Sequence, residues 1–207
     1  MAWVVMLVHG GRHAGHEIHQ AGALGRELPR WMWMVAAMML PRLTYEVRGT
    51  AERSLWARRH RAIAGFLTGF AVPWLGLGIA AGLLRQASWS HTYAAPGLAF
   101  AGAALWQLTR IRKRALMECH RSLPLAPSGW RADRDCLRYG SAIGAACVRT
   151  CWPLMLGCML SGHSLIAMSG GMIVGAGEQW PTRIRFPVSM AGTLALAAYY
   201  TALAGSR

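Results

Sequence analysis

The sequence predicts an all-α, polytopic transmembrane helix bundle of about six spans, with five as the alternative. Three observations predict it. Hydrophobic residues make up 54% of the 207 and charged residues only 14%, where a soluble domain carries about 25% charge. The charges gather in short basic blocks, and the runs 62–84, 86–109 and 186–206 carry none. Each run is near the roughly 20 residues with which a helix crosses about 30 Å of hydrocarbon. The glycines recur at spacing four, in Gly65 and Gly69, Gly78 and Gly82, Gly140 and Gly144, Gly171 and Gly175. That pattern lets helix backbones approach closely in lipid.

The first span runs from Trp31 to about Val47 and is expected to kink at Pro41, which removes one backbone hydrogen bond. Arg42 and Glu46, at i and i+4, can pair near the inner surface. The second span is Ala62 to Leu84, the third about Tyr93 to Thr109, and the fourth about Tyr139 to Leu160. The uncharged run 150–177 is too long for one helix, so it must fold back at Ser161, Gly162 and His163. A short fifth span then covers about Ser164 to Glu178, and the sixth Phe186 to about Ala204. Residues 1–30 form a histidine-rich extramembrane segment, and 31–207 a single transmembrane helical domain. The N-terminal MAWVVMLVHGG predicts no cleaved targeting segment, since its apolar run is short and no basic residue precedes it.

The loops 48–61 and 110–138 are basic: five arginines lie within 47–61 and eight Lys or Arg within 110–138, against Arg85 alone after the second span. The positive-inside rule puts both loops in the cytoplasm and both termini on the other side. Trp31, Trp33 and Trp89 then fall at the outer edge, Trp180 at the inner edge, and Tyr199 and Tyr200 near the outer end of the last span, where aromatic rings favour the interface. The lipid bilayer is the first partner this frame predicts. The formal net charge of +14 sits between spans, which excludes a duplex-binding face, so nucleic acid is not an expected partner.

The fourth span carries the densest chemistry. Cys147, Cys151 and Met155 stand at i, i+4 and i+8, a stripe along one helix face, and Cys158 and Met159 extend it. Thiolate and thioether are soft ligands that select Cu(I), with zinc as the alternative when thiolates dominate. Two thiolates around Cu(I) leave one negative charge. Arg149 is expected to offset it, since a charge at a span centre costs roughly 2.5–3.5 kcal/mol and marks a partner or a site. The structural alternative pairs Arg149 with Glu178 or Glu46. The first span adds Met34, Met38 and Met39, and the fifth adds Met168 and Met172, followed by Glu178. Against this stands a plain packing reading, in which buried cysteine acts as a small hydrophobe and methionine fills gaps.

Outside the bilayer, His9, His13, His16 and His19 lie within HGGRHAGHEIH, where neutral imidazole can capture copper, zinc or nickel. On the inner side Cys119 stands beside His120, and Cys136 follows in the same loop, without the C-x-x-C spacing of a structural zinc site. Five cysteines, an odd number, argue against a disulfide framework.

These blocks together resemble a bacterial family of predicted metal-binding integral membrane proteins of unknown function. WMWMVAAMMLP is similar to the family's W-x-x-M-x-x-A-M-M-x-P. The likeness continues through ARRHRAIAGFLTGF, ECHR, GWRADRDCLRYG and CVRTCWPLM to a methionine-containing helix closing on Glu178, and covers about residues 31–180. By position it implies that Met34, Met38, Met39, Cys119, Cys136, Cys147, Cys151, Met155, Met168 and Glu178 are characteristic residues. The chain departs from the pattern at Ala115, where many members carry a further cysteine, and at Arg149 and Thr150, where small residues or cysteine are more usual.

The leading expectation is a non-enzymatic protein of the bacterial cytoplasmic (inner) membrane, with both termini periplasmic. It would hold Cu(I), or zinc, between the first, fourth and fifth helices for handling or delivery, with a membrane complex or a periplasmic metal carrier as partner. The alternatives are a structural or assembly subunit of a membrane complex, and a thiol oxidoreductase cycling Cys147 and Cys151. Against the last, cysteines at i and i+4 on one helix are poorly placed for an unstrained disulfide.

Overall fold

A computed structural model describes residues 20–86, 95–119, 124–126, 128–177 and 182–206. The described secondary structure is entirely helical: α1 Gln20–Met39, a 3-10 turn Leu40–Leu43, α2 Thr44–Glu52, a 3-10 turn Trp56–Arg58, α3 Arg59–Gln86, α4 Ala95–Gln107, α5 Arg110–Cys119, α6 Gly129–Leu160, α7 Leu165–Gly177 and α8 Thr182–Gly205. His9, His13, His16, His120 and Glu178, together with Trp89 and Trp180, lie outside the described residues.

Among the described residues three helices, α3, α6 and α8, are long and apolar enough to cross a bilayer. The other expected spans differ in form over the described residues. The expected first span is divided at Pro41: α1 closes at Met39, a 3-10 turn carries Leu40–Leu43, and α2 restarts at Thr44. Proline supplies no N–H to continue the ladder, and its ring crowds the preceding turn. Helices α4 and α7 have 13 described residues each, α4 opening after residues 87–94 and α7 closing before residues 178–181, which lie outside the described residues. In the other direction α6 starts at Gly129, ten residues before the expected boundary, because the basic segment ahead of Tyr139 continues the same helix.

Two long helices form the centre. Gly140 of α6 and Gly69 of α3 mark where α3 and α6 touch backbone to backbone: a Cβ on Gly140 would run into the carbonyl of Phe66, and one on Gly69 into the carbonyl of Leu137. The spacing-four glycines at this contact thus do the close-packing work that small residues do between apolar helices. Around that contact Phe66 packs on Tyr139 with ring centroids 5.2 Å apart.

The remaining helices are tied on by buried polar and aromatic contacts. Gln107 of α4 donates to the Ser189 carbonyl at 3.3 Å and to Thr193 Oγ1 at 3.0 Å on α8, and Phe100 stacks on Tyr200 at 5.5 Å. Trp31 is packed within the bundle: it is 2% exposed, and its indole N–H donates to the Trp74 carbonyl at 2.9 Å. Burying an indole is tolerable when its N–H finds an acceptor, and α3 offers one. Tyr200 is likewise buried, while Trp33 and Tyr199 are exposed.

The fold-back expected at Ser161–His163 is present. The N–H groups of Ser161, Gly162 and His163 close on the carbonyls of Gly157, Met159 and Cys158, each at 3.0 Å. Gly162 and His163 both take left-handed φ, +69° and +59°. This is the left-handed ending that satisfies the last carbonyls of a helix, and it sends α7 back along α6.

Candidate metal centre

The stripe on α6 sets the site. One turn of helix separates Cys147 from Cys151, so both thiols project on one side, toward the junction of α1 with the 3-10 turn and the end of α5. The Cys147 thiol meets the Met39 thioether, Sγ to Sδ 3.6 Å, joining residues 108 apart in the chain. Cys147 is also in hydrogen-bonding contact with Cys119 and with Cys151. Cys119, the last residue of α5, touches Thr150 Oγ1 at 3.8 Å. Cys147 Sγ and Met39 Sδ are thus in contact beside the middle of α6, with the thiols of Cys119 and Cys151 flanking them.

The cation at this cluster is Arg42, not Arg149. Arg42 Nη1 donates to Cys151 Sγ at 3.6 Å, and the guanidinium also lies against Gly175 of α7, where an added Cβ would come within 3.3 Å of Nη1. The break at Pro41 makes this placement possible, because the 3-10 turn carries Arg42 inward just after Met39. Arg149 is exposed and pairs with Glu118 at 2.6 Å rather than with Glu46, while Glu178 lies outside the described residues. At 100° per residue Arg149 stands about 200° around the helix from Cys147, so sequence adjacency to the thiols puts it on the far side.

The local field favours a thiolate at Cys119. Its thiol is held below the ordinary cysteine value, chiefly by the hydrogen bond with Cys147; burial opposes this, and the Thr150 hydroxyl and the Arg42 charge assist it. The thiolate is the form that binds soft metals.

Other expected residues lie further along. Met34, Met155 and Met168 are fully buried in the core, and Met38 is 3% exposed. The Met38 methyl would stand 2.7 Å from a Cβ on Gly171, and Cys158 Sγ 3.4 Å from it, so Met38 and Cys158 share one contact on α7. Cys136 is apart: its Cβ faces Gly65, where an added Cβ would stand 3.5 Å away, and the eleven residues to Cys147 correspond to about 16 Å of helix. Sequence reasoning missed Arg42 as the thiol-facing charge. The signal was present, since Arg42 follows Met39 by three residues across a proline break.

A donor set suits a metal when its spacing does. Two sulfurs each about 2.3 Å from a shared ion stand about 3.8 Å apart in a tetrahedron, and further apart as the angle opens. The Cys147 to Met39 spacing of 3.6 Å is within a few tenths of that. Among the described residues no three His, Cys, Asp or Glu side chains converge on a point. The donors are thiol and thioether sulfur, the soft ligand type that Cu(I) takes, and they do not form the four-ligand cage of structural zinc.

Residues 28–202 match a family model described as PpoB2, copper chaperone. No curated protein and no solved structure matches the chain.

Proposed function

From the membership of this chain in the PpoB2 copper chaperone family, we propose that it is a membrane-embedded, non-enzymatic copper carrier. Its cargo is Cu(I), and the holding residues are Cys147, Met39 and Cys119, with the Cys151 thiol beside them carrying Arg42. The observation that carries this reading is the 3.6 Å contact of Cys147 Sγ with Met39 Sδ. Sulfur from distant parts of the chain is there drawn together beside a cation rather than dispersed as packing.

Charge supports the monovalent ion. Two thiolates and one Cu(I) sum to one negative charge, and Arg42 beside Cys151 supplies one positive charge. Arginine stays protonated throughout. The second methionine layer, Met34, Met38, Met155 and Met168, lines the interior beyond the thiols and keeps the surroundings soft and apolar. In this reading α3, α6 and α8 cross the cytoplasmic membrane, and α4 and α7 make the return crossings between them, so that the basic segments 48–61 and 110–138 both lie inside. The periplasmic histidines His9, His13 and His16 gather the ion, and a periplasmic carrier or a membrane complex exchanges it.

The test separates the two arginines. Arg42→Gln should weaken Cu(I) binding about tenfold, the scale of one nearby charge in a partly screened site, as read by competition with a Cu(I) chelator on the purified protein. Arg149→Gln should leave the affinity unchanged. Equal effects of the two substitutions would contradict the assignment.

A further inference from the structure

One end of the α3–α6 pair carries a surface that copper holding does not use. Residues 53–61 and 128–138 contribute seven arginines and two aspartates. Within this patch two tryptophans stand in the open, Trp56 at 81% and Trp130 at 66% exposure. Each has a guanidinium on its ring: Arg59 Cζ lies 4.6 Å from the Trp56 centroid, and Arg134 Cζ lies 5.0 Å from that of Trp130. Arg58 fixes the two halves to each other. It donates to the Gly129 carbonyl at 3.0 Å and pairs with Asp133, which also takes Arg61 at 2.9 Å. The two Arg–Trp pairs therefore belong to one rigid surface built from the start of α3 and the start of α6.

Exposed tryptophan is costly in water and favoured at the headgroup level of a bilayer. A guanidinium above such a ring can still turn N–H groups at its edge to phosphate oxygens, which it binds with a planar fork; Arg59 spends its Nε–H on the Ala51 carbonyl at 3.3 Å, which leaves its two Nη groups for that role. The two features together describe a surface that accepts a ring at the acyl boundary and a phosphate just above it.

We propose that this end of the bundle is a docking surface for anionic phospholipid headgroups, with Arg59 and Arg134 as the phosphate ligands and Trp56 and Trp130 as the anchors beside them. The inference rests on the membrane reading given above and deepens it by naming the lipid class. Charge complementarity selects the occupant. A zwitterionic headgroup brings its own cation into a patch already rich in arginine, and an anionic one does not. Each basic residue near an anionic membrane surface contributes about a fivefold preference, which falls as salt screens it.

The experiment uses the full-length protein reconstituted into phosphatidylcholine vesicles, with and without phosphatidylglycerol. Lipid retained after detergent extraction is measured by native mass spectrometry. Wild-type protein should retain phosphatidylglycerol over phosphatidylcholine, and the preference should shrink at high salt. Arg59→Gln with Arg134→Gln should reduce it by about thirtyfold, and Arg134→Lys alone should keep most of it. Because these side chains are on the surface, helix content by circular dichroism should stay at the wild-type level, and Arg134→Gln alone gives a second, milder probe. Insertion with equal retention of both lipids in wild type and variants would overturn this inference and leave copper holding standing. Failure of the protein to enter either vesicle would overturn the membrane reading and this inference with it.

Discussion

Cys147→Ser is expected to weaken Cu(I) binding by about a hundredfold or more, measured by chelator competition on protein purified under reducing conditions. Loss of even a supporting group around a metal costs 10–100-fold, and Cys147 is the sulfur on which the others converge. It contacts Met39 at 3.6 Å and touches both Cys119 and Cys151, so its removal separates the row into pieces. A hydroxyl in its place is a hard, weak ligand for a soft ion. The matched control is Cys136→Ser, where the cysteine packs against Gly65 about 16 Å along the helix; its affinity should equal that of wild type. If the two serine variants bind copper equally well, the thiols of α6 are packing and the carrier site lies elsewhere.

Gly140→Leu should be the most damaging substitution for the fold. A Cβ at this position meets the carbonyl carbon of Phe66 at 2.8 Å and the amide nitrogen of Phe70 at 2.9 Å. These are backbone atoms of the facing helix, with no side-chain rotamer to give way. The α3–α6 contact must open, and with it the buried pairing of Phe66 and Tyr139. Overpacking costs typically 1–3 kcal/mol and more where nothing can shift, so about 3 kcal/mol is expected. That corresponds to a fall in Tm of about 10 °C for a chain of this size, read by thermal unfolding in detergent. Gly76→Leu, on the same helix α3 but with nothing within 4 Å of its added Cβ, should change Tm by little. Equal effects at the two glycines would mean that α3 and α6 do not meet as described.

The helical class was legible because a bilayer asks for long apolar runs, and composition records such runs directly. The fold-back at Ser161–His163 was legible for the same reason: an uncharged stretch too long for one crossing must turn, and Gly162 marks where. Span number was less legible, because hydropathy does not fix helix length. The residues after Pro41, Arg42 and Glu46 among them, read as the charged inner end of the same span, yet the missing N–H divides α1 from α2. The thiol stripe followed from helical spacing alone. Its companion charge did not, because Arg149 is near the thiols in sequence and far from them around the helix, whereas Arg42 arrives from an element 109 residues away. Residues two apart on a helix do not share a face, and that rule applied to Cys147, Arg149 and Cys151 would have excluded Arg149. The burial of Trp31 was not legible either. A tryptophan near a span end fits the interface by composition, and only the nearby Trp74 carbonyl makes its burial acceptable.

The central claim is that Cu(I) is held by sulfur gathered from three elements. X-ray absorption at the copper edge of the Cu(I)-loaded protein addresses it most directly. The account predicts a first shell of sulfur alone, with fewer sulfur scatterers in Met39→Leu while copper remains bound through Cys147. A first shell of nitrogen or oxygen, unchanged when Cys119, Cys147 and Cys151 are all replaced by serine, would contradict it and move the copper to the histidines of the N-terminal segment.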